Sequence, residues 1–222
     1  MIVVHHLNNS RSQRVLWLLE ELGVPYEIKP YQRNSETMLA PRELRAVHPL
    51  GKSPVITDGD ITLAESGAII EYIVDRYGNG RLAPALASAL RVRYIYWLHY
   101  AEGSLAFPLL LKLIFDEMPK RSPLLLRPLV GAIAGKIKSG YVMLEVDKHL
   151  DYLEAELGKS TWFAGDEFTA ADIQMSFPLE IAVIRGGLNA SRPKLMAFLE
   201  RIHQRSAYER AMQRGGEYDL MK

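Results

Sequence analysis

Three short segments place small polar side chains where a bound anion or thiol could be handled. The first is Ser10-Arg11-Ser12-Gln13-Arg14-Val15-Leu16, which follows an apolar run and opens an apolar helical stripe. A hydroxyl there sits at the positive end of a helix, where free N–H groups favour negative charge. Ser10 could donate a hydrogen bond to a bound thiolate and so lower the thiol's pKa, or it could simply cap the helix. The second segment is Gly51-Lys52-Ser53-Pro54-Val55. A cis Ser53–Pro54 bond would turn the Ser53 backbone sideways to pair with a peptide-like ligand, whereas a trans bond would make Pro54 an ordinary strand opener. The third is Ala64-Glu65-Ser66-Gly67. Ser66 and the N–H groups beyond it could hold a carboxylate and Glu65 an ammonium; the plain reading is a helix cap beside a surface acid.

Composition narrows the chemistry. The 222 residues suffice for one large domain or two small ones, and 48% apolar with 24% charged content suits a packed core. A net charge of +1 gives no overall field for nucleic acid or an anionic membrane, and Lys120-Arg121 reads as solvated surface. There is no cysteine, which excludes disulfides, thiolate metal sites and a cysteine nucleophile. Any thiol chemistry must use a thiol from a ligand. No metal is expected. No basic segment followed by a long apolar run opens the chain, and no uninterrupted apolar run reaches about 18 residues, so neither a signal peptide nor a membrane span is expected. The greasiest stretch, Leu105 to Phe115, reads as a buried helix. The cytoplasm is the default location.

The elements that must position these segments come in two textures. Ile2–His6 reads as a strand. Val15, Leu18, Leu19 and Leu22 form one helical stripe, stopped by Gly23. Tyr26–Tyr31 reads as a second strand and Pro41–Val47 as a short helix. Val55–Thr57 and Ile61–Leu63 flank an Asp58-Gly59-Asp60 hairpin turn. Ile70, Ile73, Val74 and Tyr77 mark a further helix ended by glycines. A parallel βαβ unit followed by an antiparallel hairpin and a helix is a thioredoxin-like layout: an α+β domain with a mixed four-stranded sheet. Three polar segments at the ends of successive elements then fall on one sheet edge. Beyond Gly80 the signal is helical. Tyr94, Trp97, Leu98 and Ala101 form a stripe. Pro119, Pro123 and Pro128 punctuate a break. Tyr141, Leu144, Leu150, Leu153 and Leu157 suggest a second long helix. Thr169 with Asp172 reads as a capping box for a helix through Ile173, Phe177, Ile181 and Ile184. Leu195, Phe198, Leu199 and Ile202 mark a last helix, with Pro193 in its first turn. The expected division is a first domain over 1–80, a linker over 81–88 and an all-α helical bundle over 89–222.

Taken together, the motifs resemble those of cytosolic glutathione transferases over essentially the whole chain. Ser10 through Val15 is similar to the S-x-x-x-R-V pattern of serine-type members of the bacterial and fungal kind. His48-Pro49-Leu50-Gly51-Lys52-Ser53-Pro54-Val55-Ile56 resembles a segment of the family whose proline is cis, with His48 where asparagine is usual. Leu63 through Ile69 resembles its E-S-x-A-I segment, and Ala164 through Ile173 its helical-domain signature. The resemblance implies that Ser66 binds the γ-glutamyl carboxylate of glutathione, with Glu65 near the amino group. Ser53 pairs through its main chain with the cysteinyl unit beside Pro54, Lys52 approaches the glycyl carboxylate, and Ser10 hydrogen-bonds the sulfur. Asn9 or Ser12 could replace Ser10 in that role.

The implied activity is transfer of the glutathione thiol, held as thiolate, onto a small hydrophobic electrophile, with glutathione as co-substrate and a homodimeric assembly. A glutathione-dependent disulfide or peroxide reductase and a non-enzymatic glutathione-binding scaffold are the alternatives, since a fold alone does not fix a function. The electrophile's wall is expected on the first long helix, where His99, Tyr100 and Gly103 are candidates; Trp97 and Tyr100 are equally readable as core aromatics.

Overall fold

The computed structural model describes residues 1–34, 37 and 39–216. Strand β1 (Ile2–Leu7) pairs in parallel with β2 (Tyr26–Tyr31), the crossover being helix α1 (Ser12–Leu22). Such a connection needs a helix to carry the chain back along the sheet. The α1 stripe Val15, Leu16, Leu18, Leu19 and Leu22 is buried. Gly23 ends the helix at φ 65°, returning its N–H to carbonyls of the last turn, a left-handed cap that suits glycine. After α2 (Arg42–Val47), strands β3 (Val55–Asp58) and β4 (Ile61–Ala64) form the hairpin, and β3 pairs antiparallel with β1. The mixed sheet has the order β2-β1-β3-β4. Helix α3 (Ser66–Tyr77) packs Ile69, Ile70, Ile73 and Val74 into the core.

The remainder is helical. Helix α4 (Leu90–Tyr100) runs through a π-helical turn, Ala101–Leu105, into α5 (Ala106–Arg121). Helix α6 (Arg127–Ile137) likewise runs through a π turn into α7 (Met143–Glu156), followed by α8 (Ala170–Arg185), α9 (Pro193–His203) and α10 (Ser206–Gly215). The capping box of α8 is present: Asp172 Oδ2 accepts from the Thr169 amide at 2.8 Å and its hydroxyl at 3.0 Å. Asp172 Oδ1 accepts from the Phe163 amide at 2.9 Å, which ties the preceding loop to the same carboxylate.

Several expectations need correction. The Leu105–Phe115 stretch is not a buried helix: Leu105, Pro108 and Leu109 are buried, while Leu110 and Ile114 are about half exposed. Pro119 lies inside α5 rather than at the break, which comes after Arg121. Tyr141 and Leu144 point outward, and the buried stripe is Val142, Val146, Leu150 and Leu153. The step from Leu144 to Leu150 turns a helix by about 240° net, so the two cannot share a face. Helix α10 has no counterpart in the hydrophobic pattern. It buries only the small residues Ala207 and Ala211, and it is held to α1 by the Arg210–Glu20 ion pair and, from the residue before it, by Arg205–Glu21. Residues 217–222 of the expected helical domain lie outside the described residues.

Candidate functional site

Two cavities meet where the β1–α1 loop, the α2–β3 loop and the β4–α3 turn come together. The smaller, of about 100 Å³, is polar; Lys52, Ser53, Pro54, Glu65 and Ser66 all line it. The Ser53–Pro54 bond is cis. Glu65 precedes α3 at φ 72°, an uncommon conformation for a residue with a side chain. It is the residue before the helix, so Ser66 stands in the first turn rather than at the cap. The Ser66 hydroxyl instead accepts a hydrogen bond from Arg14 at 3.0 Å.

Arg14 organises this corner. Its guanidinium is buried and also donates to the Gln174 carbonyl of α8 and, at 2.5 Å, to Glu102 of the π turn. Glu102 lines the small cavity too, and it meets Arg11 at 3.2 Å. Burial pushes the Glu102 carboxyl up, but Arg14 and Arg11 outweigh it and hold the group below the usual carboxylate range. The site therefore contains a fixed negative charge contributed by the helical half. Sequence reading did not find it, because no motif surrounds Glu102. His48 also lines this cavity, with Nδ1 buried and unpaired.

The larger cavity, of about 310 Å³, lies between the loop bearing Asn9, Ser10 and Arg11 and the apolar faces of α5 and α8. Arg11 and Ser53 belong to both cavities. Ser10 lines the larger one, with Oγ 3.3 Å from the Ser53 hydroxyl. Asn9 lines it as well, at φ 50°. Ser12 is fully buried and lines neither. It sits behind Ser10, 2.7 Å from that hydroxyl and 2.8 Å from His6 Nδ1.

The His6 ring also bonds the Gly215 backbone carbonyl, which only an N–H can satisfy. That leaves Nδ1 as acceptor toward Ser12. Ser12 Oγ is also within donating reach of the Leu7 carbonyl at 3.4 Å, and the Ser10 hydroxyl donates to Ser53 Oγ at 3.3 Å. Ser53 spends its own proton on the His5 carbonyl at 3.2 Å. The Ser12 amide donates to Ser10 Oγ at 3.3 Å and polarises that hydroxyl.

The residues expected to wall an electrophile site stand away from both cavities. Tyr100 lines neither cavity; it is buried among Tyr96, Trp97 and Tyr152, with its hydroxyl bonded to His149. His99 is exposed, and Gly103 borders a separate cleft with His149. The apolar wall of the larger cavity comes later in the same continuous helix, from Ala106, Leu109, Leu110 and Leu113, and from Phe177 and Ile181 of α8. Phe177 and Ile181 continue the regular apolar stripe of α8. Their partial exposure is what a cavity does to such a stripe.

Comparisons with known proteins agree along the chain. Residues 1–75 match the family profile "Glutathione S-transferase, N-terminal domain", and residues 118–206 match "Glutathione S-transferase, C-terminal domain". Glutathione S-transferase 3 of Schizosaccharomyces pombe is 41% identical over 81% of this chain and 73% of its own length. Glutathione S-transferase GstB of Escherichia coli is 30% identical over 96% of this chain and 98% of its own. A crystal structure of a glutathione S-transferase from Actinobacillus pleuropneumoniae superposes with a TM-score of 0.83 at 36% identity, covering 100% of this chain and 96% of that one. A sphingomonad glutathione S-transferase complexed with glutathione superposes at 0.73 with 25% identity, covering 96% and 98%. Sequence, domain pairing and fold thus lead to one assignment: this chain belongs to the glutathione S-transferase family, whose co-substrate is glutathione.

Proposed function

We propose that this chain binds glutathione in the small polar cavity and transfers its thiol to a hydrophobic electrophile held in the larger one. One observation carries the reading: the two cavities join at Arg11 and Ser53, with the Ser10 hydroxyl at the junction. A peptide thiol laid along Lys52, Ser53 and Glu65-Ser66 would bring its sulfur to that junction. The γ-glutamyl carboxylate would meet the free N–H groups at the start of α3 beside Ser66. The ammonium would fall between Glu65 and Glu102, and the glycyl carboxylate near Lys52 and His48. Ser10 would stabilise the thiolate by hydrogen bonding, aided by the N-terminus of α1. No protein group needs to act as a strong base. The thiolate then attacks the electrophilic carbon, and holding both reactants across a shared wall orients them for that step.

The physiological setting in this reading is detoxification in the cytoplasm by a homodimer, with no nucleic-acid partner. The division into 1–80, 81–88 and 89–222 is supported by the absence of helix or strand between Tyr77 and Leu90. The continuous helix Leu90–Arg121 is long and apolar enough to span a bilayer. We read it as a core helix instead, because Tyr94, Trp97, Leu98, Ala101, Leu105 and Leu109 pack it into the protein.

A thiolate absorbance titration with glutathione tests the reading. A bound thiol ionising well below its free value is the expected result. Binding without a shift would favour a scaffold, and no binding would leave only the fold.

A further inference from the structure

The link between α5 and α6 places three leucines, Leu124, Leu125 and Leu126, in a turn where polar residues are the norm. Residues 123–129 are exposed one after another, Leu125 at 93%. Leu126, Leu129 and Ile133 then carry the apolar surface along the outside of α6, which fully buries only Ala134. Their spacing of three and four keeps them on one stripe. Scattered exposed leucines need no explanation, but a contiguous apolar patch marks a contact surface. Charge says with what. From Met118 to Leu144 the chain has five cations and no Asp or Glu, a local field that the net charge of +1 conceals. Lys120 and Arg121 share Glu117, and Lys138 shares Asp116 with Lys112. Two cations thus stand to each carboxylate. Arg127 donates to the Ser122 and Lys120 carbonyls, and neither it nor Lys136 enters an ion pair among the described residues. A second copy related by a two-fold axis would set this surface against itself, cation facing cation. A layer of anionic lipid complements both features, because it takes leucines at its acyl boundary and cations among its phosphates without a matching groove.

We propose that the α5–α6 tip docks on an anionic bilayer surface. Leu124 and Leu125 enter the boundary between headgroups and acyl chains, and Lys120, Arg121, Arg127 and Lys136 meet the lipid phosphates. The chain lies on the membrane and does not span it. This surface is separate from both cavities, so the inference stands independently of the transferase reading.

The test uses the full chain with unilamellar vesicles of phosphatidylcholine, with and without phosphatidylserine. Co-flotation should show about tenfold or more tighter binding to the vesicles that contain phosphatidylserine, as several cations near a charged surface imply. Raising the salt should shrink that preference. Lys136→Gln should lower it about threefold or more, and the fold should survive because the side chain is exposed and enters no ion pair. Leu124→Ser combined with Leu125→Ser should cost about tenfold or more on the same vesicles. The chain has no cysteine, so Leu125→Cys offers a single site for an environment-sensitive dye. Its emission should move to the blue on phosphatidylserine vesicles, while the same dye on Asp60→Cys, in the exposed β3–β4 turn, should not respond. Equal binding to the two kinds of vesicle overturns the inference. So does phosphatidylserine-dependent binding that the double serine variant keeps in full, because the cations would then act elsewhere and without the leucines. A double serine variant that falls from dimer to single-chain mass in lipid-free buffer also overturns it, since a second copy would be the occupant of the tip.

Discussion

At the scale of single residues, the Ser10 hydroxyl has one proton and three claimants: Ser12, Ser53 and an arriving thiolate. Anionic acceptors make the stronger hydrogen bond, so the thiolate should take the proton from the neighbouring hydroxyls. Ser10→Ala should then raise the pKa of bound glutathione by about one to two units, the equivalent of a hydrogen bond to a charged group. Ser12→Ala leaves the Ser10 hydroxyl in place, and should leave that pKa nearly level while costing stability through the orphaned His6 nitrogen. The reverse pattern in a thiolate titration would move the role to Ser12. His6 gives a pH prediction as well. Burial holds its imidazole below the ordinary value, against the opposing hydrogen bond to Gly215, and burial with Lys29 nearby does the same to His5. The unfolded chain therefore takes up protons first. Stability should be full above pH ~6.5 and decline as the pH falls toward the folded-state values. Denaturant midpoints between pH 7.5 and 5 should show this decline, and His6→Gln should flatten it. Ser10, Ser53 and Ser66 were legible because each sits at an element end with a turn signal beside it. Glu102 was not, since it reaches the site from an element that announces nothing about its destination.

At the scale of elements, legibility followed the strength of the local signal. The βαβ unit and hairpin were readable from period and turn residues, Gly23 ending α1 and Asp58-Gly59-Asp60 joining β3 to β4. The α8 capping box was readable because its two side chains satisfy donors only three positions apart. Its energetic weight is larger than a cap's alone. Asp172→Ala should remove about 0.5–2 kcal/mol of capping. It also strands the buried amide of Phe163, adding about 1–3 kcal/mol. Chemical denaturation should register a total near 3 kcal/mol, and a loss below about 1 kcal/mol would mean that water replaces the carboxylate. Long apolar helices were read less well. The α5 stretch carries too many apolar residues to show which face is inward. Helix α10 carries too few, because two alanines and a set of arginines dock it. Helix α4 buries the marked stripe Tyr94, Trp97 and Leu98, although apolar residues stand on its outer side as well.

At the scale of the whole molecule, Arg14 joins three parts of the fold: α1, the start of α3 through Ser66, and the helical half through Glu102 and the Gln174 carbonyl. A buried cation with this many acceptors fixes how the two halves face each other. It therefore fixes the relation between the polar cavity and the apolar one. The chain alone leaves an apolar face of α4 uncovered. Helix α4 turns Tyr94, Trp97 and Leu98 inward, yet also exposes Leu90, Val92, Ile95 and Tyr96, with Val92 at 72%. A helix that shows apolar side chains to solvent on the face opposite its core stripe is a candidate for cover by a partner. A second copy related by a two-fold axis would cover this face with the same face. Sedimentation at micromolar concentration should give a mass near twice the 25.1 kDa of one chain. Val92→Asp should shift the protein toward the single-chain mass without unfolding it, because the side chain meets only solvent in the isolated chain. A wild-type protein that sediments as one chain would remove the dimer. A Val92→Asp protein that stays dimeric would keep the dimer but move its interface elsewhere, and the exposed leucines 124–126 beyond α5 would be the next face to test.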